Sequence, residues 1–219
     1  MKPYYEHAGI TIYHGDCREV LPEVPMCDTM ITDPPYGISL NTDSSRFSGP
    51  NGHIGVNGNG IGSGHGMPVR GDNEPFDPRF LLNHASQHVI WGWHCFPDKL
   101  PRGACLVWLK RYDDAFGSFL SDAELAWMSK GHGVYCKRDL SLNAIANERS
   151  HPCQKPESLM RWCLSFFPLS ESVTDPYMGS GTVLKVCKDL GRRAIGIEIE
   201  ERYCEIAAKR LSQEVFEFA

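Results

Sequence analysis

Residues 175–182 read DPYMGSGT. A strand expected at 171–175 leads into this segment, and a helical pattern at 180–190, closed by Gly191, leads out of it. Gly179 and Gly181 permit a tight turn and a close approach of a ligand to the backbone, with a helix N-terminus just behind. A second strand, RAIGIEI at 193–199, follows and ends near Glu198. Strand, glycine turn, helix and strand in succession are the local pattern of an α/β sheet.

The chemistry of the turn narrows its ligand. Glu198 lies 16–19 residues beyond Gly179–Thr182, where a nucleotide-binding α/β unit places an acid for two ribose hydroxyls. The glycine spacing is G-x-G-T rather than G-x-G-x-x-G, and Asp175 sits at the strand tip. An acid there repels a pyrophosphate but can hold an ammonium group. A ligand with a ribose, an adenine, a cationic amine and no phosphate is S-adenosylmethionine. An ordinary strand-to-helix turn is the competing reading of the segment by itself.

Working outward, strand and helix patterns alternate along the chain. Strands are expected at 9–15, 27–32, 87–91 and 104–109, a short helix near 76–85, and helices at 156–167 and about 201–213. Pro156 sits at a first-turn position, and Lys209 and Arg210 suit the negative end of the last helix. The pieces ELAWM and GVYCK within 111–150 are expected as a small insertion beside the sheet. Residues 37–70 carry GPNGHIGVNGNGIGSGHG, too long and glycine-rich for a plain connection, and are expected to form a flap. One domain is the better count for 219 residues.

A second motif, DPPY at 33–36, ends the strand at 27–32. Two prolines keep its backbone extended, so carbonyls can face a ligand. Asp33 and the Pro34 carbonyl offer two acceptors, Pro35 stiffens the turn, and Tyr36 offers a flat ring. Together they can grip a planar group bearing an exocyclic amine, although a bare proline-rich turn reads equally well from the tetrapeptide alone. A third motif, HPCQKP at 151–156, places His151 and Lys155 before a helix. Cys153 follows a proline but lacks the activating neighbours a nucleophile requires.

Composition bounds the rest. Hydrophobic residues make up 42% and charged residues 22%, enough for a packed core. The longest apolar run, ACLVWL, is far short of the roughly 18 residues of a membrane span. No secretory h-region opens the sequence, and the nine cysteines form no CxxC pair. A cytoplasmic protein with reduced thiols is expected. His84, His88, His94 and Cys95 fit no common zinc spacing, so no metal is expected. The net charge of −5 leaves nucleic-acid binding to a local patch.

Taken together, the motifs resemble those of the amino-group DNA methyltransferases. DPPY resembles their catalytic motif, DPYMGSGT the cofactor motif and IGIEIE the ribose-binding acid. HPCQKP resembles an HPTQKP element, with Cys153 replacing threonine. HGDC at 14–17 resembles the segment that contacts the cofactor adenine, which adds Asp16 and Cys17. RGDNEPF and VIWGWHCF also resemble family segments. Catalytic motif first and cofactor motif last is the order of the β group, including compact phage and prophage members.

The resemblance implies a Rossmann-like methyltransferase sheet, mostly parallel with one antiparallel strand. It implies S-adenosylmethionine held by Asp16, Cys17, Asp33, His151, Lys155, Asp175, Tyr177, Gly179, Ser180, Gly181, Thr182 and Glu198. Double-stranded DNA is the implied partner, to a monomer or homodimer, with a cognate restriction enzyme possible. The aspartate of DPPY favours N6-adenine over N4-cytosine. A phosphate-contacting patch is sought among Lys110, Arg111, Lys130, Lys137, Arg138 and Arg149, though such a run is commonly a plain solvated face. Trp91 reads as core rather than as a base-stacking platform. An RNA- or protein-directed amino-group methyltransferase and a non-catalytic DNA-binding module are the remaining alternatives.

Overall fold

The structure is a computed structural model, described here for residues 1–39, 70–117, 121–140 and 155–213. The expectations for most of the 37–70 flap and for Arg149, His151 and Cys153 therefore lie outside the described residues. Nine strands form one sheet: β1 (Tyr5–His7), β2 (Ile10–His14), β3 (Cys27–Thr32), β4 (Ala85–Trp91), β5 (Ala104–Leu109), β6 (Ala123–Met128), β7 (Val134–Arg138), β8 (Ser172–Asp175) and β9 (Arg193–Glu198). Their spatial order is β1-β2-β9-β8-β3-β4-β6-β5-β7. The helices are α1 (Cys17–Val20), α2 (Glu157–Ser165), α3 (Thr182–Asp189) and α4 (Glu201–Ser212).

Burial explains the strand patterns. Along β4, Val89 and Trp91 enter the core shared with α2, α3 and α4, while Ile90 enters the core of the opposite face. A strand covered on both sides favours a continuous apolar run, which β3 shows at Met30–Ile31 and β4 at Val89–Trp91. Toward the edge, β5 buries only Ala104, Leu106 and Trp108, so its burial alternates although its sequence is an unbroken apolar run. Trp91 is wholly buried, as expected of a core residue.

The sheet is mostly parallel. The expected antiparallel strand is β6, which runs against both β4 and β5, and β1 adds a second through a hairpin around Ala8–Gly9. β1 carries no apolar alternation and left no signal in the sequence. Two expectations are corrected. ELAWM and GVYCK do not lie beside the sheet but are strands of it, β6 and β7, because β6 fills the slot between β4 and β5 and buries Ala126, Trp127 and Met128 there. The expected helix at 76–85 is a single 3-10 segment, Pro78–Asn83, opened by the Asp77 side chain accepting from Arg79 N–H.

Seven strands therefore end on one edge of the sheet, and β6 begins there. The connection leaving β8 runs toward β9, and the one leaving β3 runs toward β4, on opposite sides. The adjacent pair β3–β8 is thus the point where the winding reverses, where α/β sheets bind ligands. At the other edge Asp28 ties the same pair together: its Oδ2 accepts from Glu171 N–H (2.8 Å), Ser172 N–H (2.9 Å) and Ser172 Oγ (3.0 Å). These donors hold the Asp28 carboxyl below the usual carboxylate range. Its stabilisation is therefore present above the unfolded carboxyl pKa and is lost as pH falls through the lower folded value. Asp28→Ala is expected to cost about 1–2 kcal/mol, seen as a lower urea midpoint with an unchanged slope.

Candidate active site

The DPPY and DPYMGSGT motifs meet at the β3–β8 junction. Thr32, the last residue of β3, donates through Oγ1 to Asp175 Oδ1 (2.9 Å), the last residue of β8. Asp175 also accepts from Tyr177 N–H (3.2 Å). Burial is the main cause that pushes the Asp175 carboxyl up to about 7, with the charges of Asp33 and Glu198 adding to it. Two motifs 143 residues apart in sequence thus share one hydrogen bond.

Around the glycine turn, Glu198 acts as a brace. Its Oε2 accepts from Gly179 N–H (3.0 Å) and its Oε1 from Glu200 N–H (2.8 Å), and each oxygen retains a further lone pair. Burial pushes this carboxyl up as well. Gly181 stands at φ +76°, and a β-carbon there would lie 2.9 Å from Ala207 Cβ on α4, so the close turn-to-helix packing requires glycine. Ser180 and Thr182 are buried. Asp16 and Cys17 follow β2, the strand beside β9: Asp16 caps α1 by accepting from Arg18 N–H (2.9 Å). Buried Cys17 bonds the Tyr177 side chain, and burial pushes its thiol up to about 11.

On the β3 side, Asp33 is held by two donors. Tyr36 Oη donates to Asp33 Oδ1 (2.6 Å), and Lys155 Nζ donates to Asp33 Oδ2. Burial followed by the Asp33 charge raises the Tyr36 hydroxyl well above its ordinary pKa, so it remains a donor. The Tyr36 ring lies against Gly92, at φ +77°, where a β-carbon would fall 2.1 Å from the ring. His94 meets it edge-on at 6.1 Å. Pro34 is buried at the end of β3. Pro35 lies against Gly71, whose β-carbon would sit 3.7 Å from the proline ring. Gly37 and Ile38 N–H donate to Asp72 Oδ1 (2.8 and 3.3 Å), and Ser39 N–H to its carbonyl (2.7 Å).

Lys155, expected at the cofactor with Asp33, bonds Asp33 and reaches further into the sheet. Beyond Asp33, its Nζ is 3.0 Å from Glu124 Oε2, and it sits over the rings of Trp91 (5.6 Å) and Trp108 (6.0 Å). Burial works against its charge, but Asp33, Tyr36 and Glu124 outweigh that and hold its pKa well above the ordinary value. The sequence missed Glu124, whose only trace is an acid at the start of an otherwise apolar strand. It missed Arg210 too, which reads as a helix-dipole cation: its Nη1 donates to Ser180 O (2.6 Å) and Oγ (3.2 Å), and its Nη2 to Glu157 (3.2 Å).

The basic residues do not form one patch. Lys110 donates to Glu124 Oε1 (2.9 Å), Arg111 lies 4.0 Å from Asp122, and Arg138 pairs with Asp113. These three share the edge that carries Asp33, as does Lys137, one residue before Arg138 in β7. Lys130, beyond the end of antiparallel β6, lies at the opposite edge near Phe166 and Phe167. Among the described residues no group of three potential metal ligands is gathered, no cysteine is in a disulfide, and no helix is long and apolar enough to cross a membrane.

The family model for DNA methylases matches residues 107–209. The chain is 42% identical over 84 residues to the type II methyltransferase M.HpaI of Haemophilus parainfluenzae, an alignment covering 38% of this chain and 24% of that one. It is 26% identical over 263 aligned residues to the type II methyltransferase M.ScaI of Streptomyces caespitosus, covering 97% of this chain and 84% of its relative. Residues 107–209 are thus similar to the DNA methylases, and nearly the whole chain aligns with a type II methyltransferase. Among solved structures, that of the cytosine-N4-specific PvuII DNA methyltransferase shares the fold, with a TM-score of 0.58 and 13% identity over 99% of this chain and 91% of that one. The glycine turn is a tightly constrained element of the site. Gly181→Ala is expected to lower stability by about 2 kcal/mol, combining positive-φ strain with the Ala207 overlap, measurable as a drop in melting temperature.

Proposed function

We propose that this chain transfers a methyl group from S-adenosylmethionine to the N6 amine of adenine in double-stranded DNA, on a base flipped out of the helix. The observation that carries this reading is the Thr32–Asp175 hydrogen bond, which sets the amine-gripping turn and the cation-holding acid side by side. The donor set fits the cofactor. Asp175 faces its ammonium, the free lone pairs of Glu198 suit a ribose diol, and Asp16 and Cys17 flank the adenine side. When bound, the sulfonium supplies a methyl group already activated for displacement.

The protein's task is then alignment. The amine lone pair of adenine is delocalised into the ring and is a weak nucleophile. The Asp33 carboxylate and the Pro34 carbonyl accept its two hydrogens and pull the nitrogen toward tetrahedral geometry. As nitrogen forms its new bond to carbon it sheds one proton, which Asp33 accepts and passes to water. Tyr36 presents the ring on which the flipped base is clamped, and extrusion costs a few kcal/mol. Lys137, together with Lys110, Arg111 and Arg138, supplies the phosphate-contacting edge.

Methyl transfer to unmethylated genomic DNA followed by nucleoside mass spectrometry tests the reading. N6-methyladenine is the expected product. N4-methylcytosine would keep the mechanism and overturn the base, and salt-sensitive DNA binding without any methylated nucleoside would overturn the activity. Asp33→Ala is expected to lower turnover by roughly a thousandfold or more with cofactor affinity within about twofold.

Cofactor binding should depend on pH through Asp175. Its carboxyl titrates at about 7 in the free protein, and a cation favours the ionised form. Affinity is therefore expected to be level above pH 7 and to weaken by up to about tenfold per unit below it. Asp175→Asn should bind more weakly and lose the step near pH 7. Calorimetric titration with S-adenosylmethionine between pH 6 and 8.5 reads both.

A further inference from the structure

Four charged side chains run in alternating sign from the candidate catalytic turn into the β5–β6 ladder. Asp33 accepts from Lys155, Lys155 lies 3.0 Å from Glu124 Oε2, and Glu124 Oε1 accepts from Lys110 at 2.9 Å. The three inner members are largely withdrawn from water, with side-chain exposures of 22% for Asp33, 8% for Lys155 and 22% for Glu124. Each link comes from a different element: the turn after β3, the segment before α2, the start of β6 and the residue after β5. The register fixes the last two, since Glu124 pairs with Trp108, two residues before Lys110.

The arrangement answers a chemical difficulty. A lysine bound to Asp33 alone, in a dry site, would draw the carboxylate's charge to itself and leave a poor acceptor for an amine hydrogen. A second carboxylate on the far side of the ammonium divides that attraction. We propose that Glu124 is a positioning residue that acts through Lys155, sharing its charge so that Asp33 stays an effective acceptor, and that Lys110 in turn anchors Glu124. The inference rests on the proposed role of Asp33 in amine methylation.

The groups facing Asp33 fix the direction of each effect. They are Tyr36 from its own turn, Lys155 before α2, Glu124 on β6 and Asp175 on β8. Burial is the main cause that raises the Asp33 carboxyl above its ordinary range; Lys155 lowers it, and the negative charge of Glu124 raises it further. Glu124 itself stays ionised: burial opposes its charge, but Lys155 and Lys110 hold its carboxyl down at about 2. Removing the charge of Glu124 should therefore lower the Asp33 pKa. Removing Lys110 frees Glu124 to draw Lys155 away and should raise it.

The test compares wild type, Glu124→Gln, Glu124→Asp and Lys110→Met by two readouts. Single-turnover transfer from S-adenosylmethionine to DNA across pH gives the rate and its acidic limb. Carbon-13 NMR of labelled aspartate gives the Asp33 titration with no need for activity, and a melting curve checks that each variant folds. Glu124→Gln is expected to lower turnover by roughly 10–100-fold with KM values within about twofold. Its acidic limb and Asp33 resonance should shift to lower pH. Glu124→Asp should restore most of the rate and the limb, and Lys110→Met should shift the titration upward. A uniform loss of rate with an unmoved Asp33 titration, or shifts of the same sign in both charge-removing variants, would overturn the proposal. A wild type that methylates no DNA would sink the functional reading instead, while the NMR titrations would still decide the coupling.

Discussion

Two backbone register pairs, Thr29 with Val173 and Met30 with Thr174, join β3 to β8 and hold the two halves of the site together. Everything on the functional edge depends on this parallel pairing. It stacks the end of β3 beside the end of β8, so Thr32 reaches Asp175 and the turn carrying Asp33 emerges next to the glycine turn. Parallel strands cannot be joined by a tight hairpin, so the pair is closed by distant chain segments rather than by neighbours. The structure reinforces it at both ends, with Thr32–Asp175 at the ligand edge and Asp28 on the Ser172 loop at the other.

The electrostatics of the edge follow from that crowding. Asp33 and Asp175 are brought close in a dry region, where two carboxylates repel and each is hard to ionise. The protein resolves the conflict differently on the two sides. Asp33 receives a lysine and a tyrosine hydroxyl, whereas Asp175 receives only neutral donors and sits at about 7. One acid has a lysine beside it that counters its burial; the other has neutral donors. A buried ion pair adds little net stability once desolvation is counted, so the Lys155 cluster is better understood as a device for local charge than as a fold stabiliser.

Glycine enters where side chains would collide. Gly92 lets the Tyr36 ring rest on backbone, and Gly181 lets the turn rest on α4, where Arg210 also grips Ser180. Both contacts fix a turn against its neighbour, one beside Asp33 and one beside Glu198. The far helix thereby becomes part of the site without supplying a ligand-facing group of its own.

Much of this was legible in the sequence because it depends on local pattern. The strands at 27–32 and 104–109 fall on the predicted residues, since β5 is an unbroken apolar run and β3 carries Met30 and Ile31 up to the turn at Asp33. The motif order gave a permuted α/β sheet, and strand-tip acids with glycine turns identified the ligand edge. Other features left no local trace. β1 has no apolar face, and β6 and β7 are interrupted by polar turns, so their membership of the sheet is decided by the slot beside β4. Lys155 carried a motif but not a partner. Its engagement with Asp33 and Glu124, the pairing of Lys110 with Glu124, and the separation of Lys130 from the other basic residues come from strand order and register. The sequence by itself determined which chemical groups stand at the strand tips, because turn chemistry and periodicity act over a few residues. Which of those charges neutralise each other follows from the tertiary fold, because Coulomb interactions in a dry site depend on distances between segments as far as 122 residues apart.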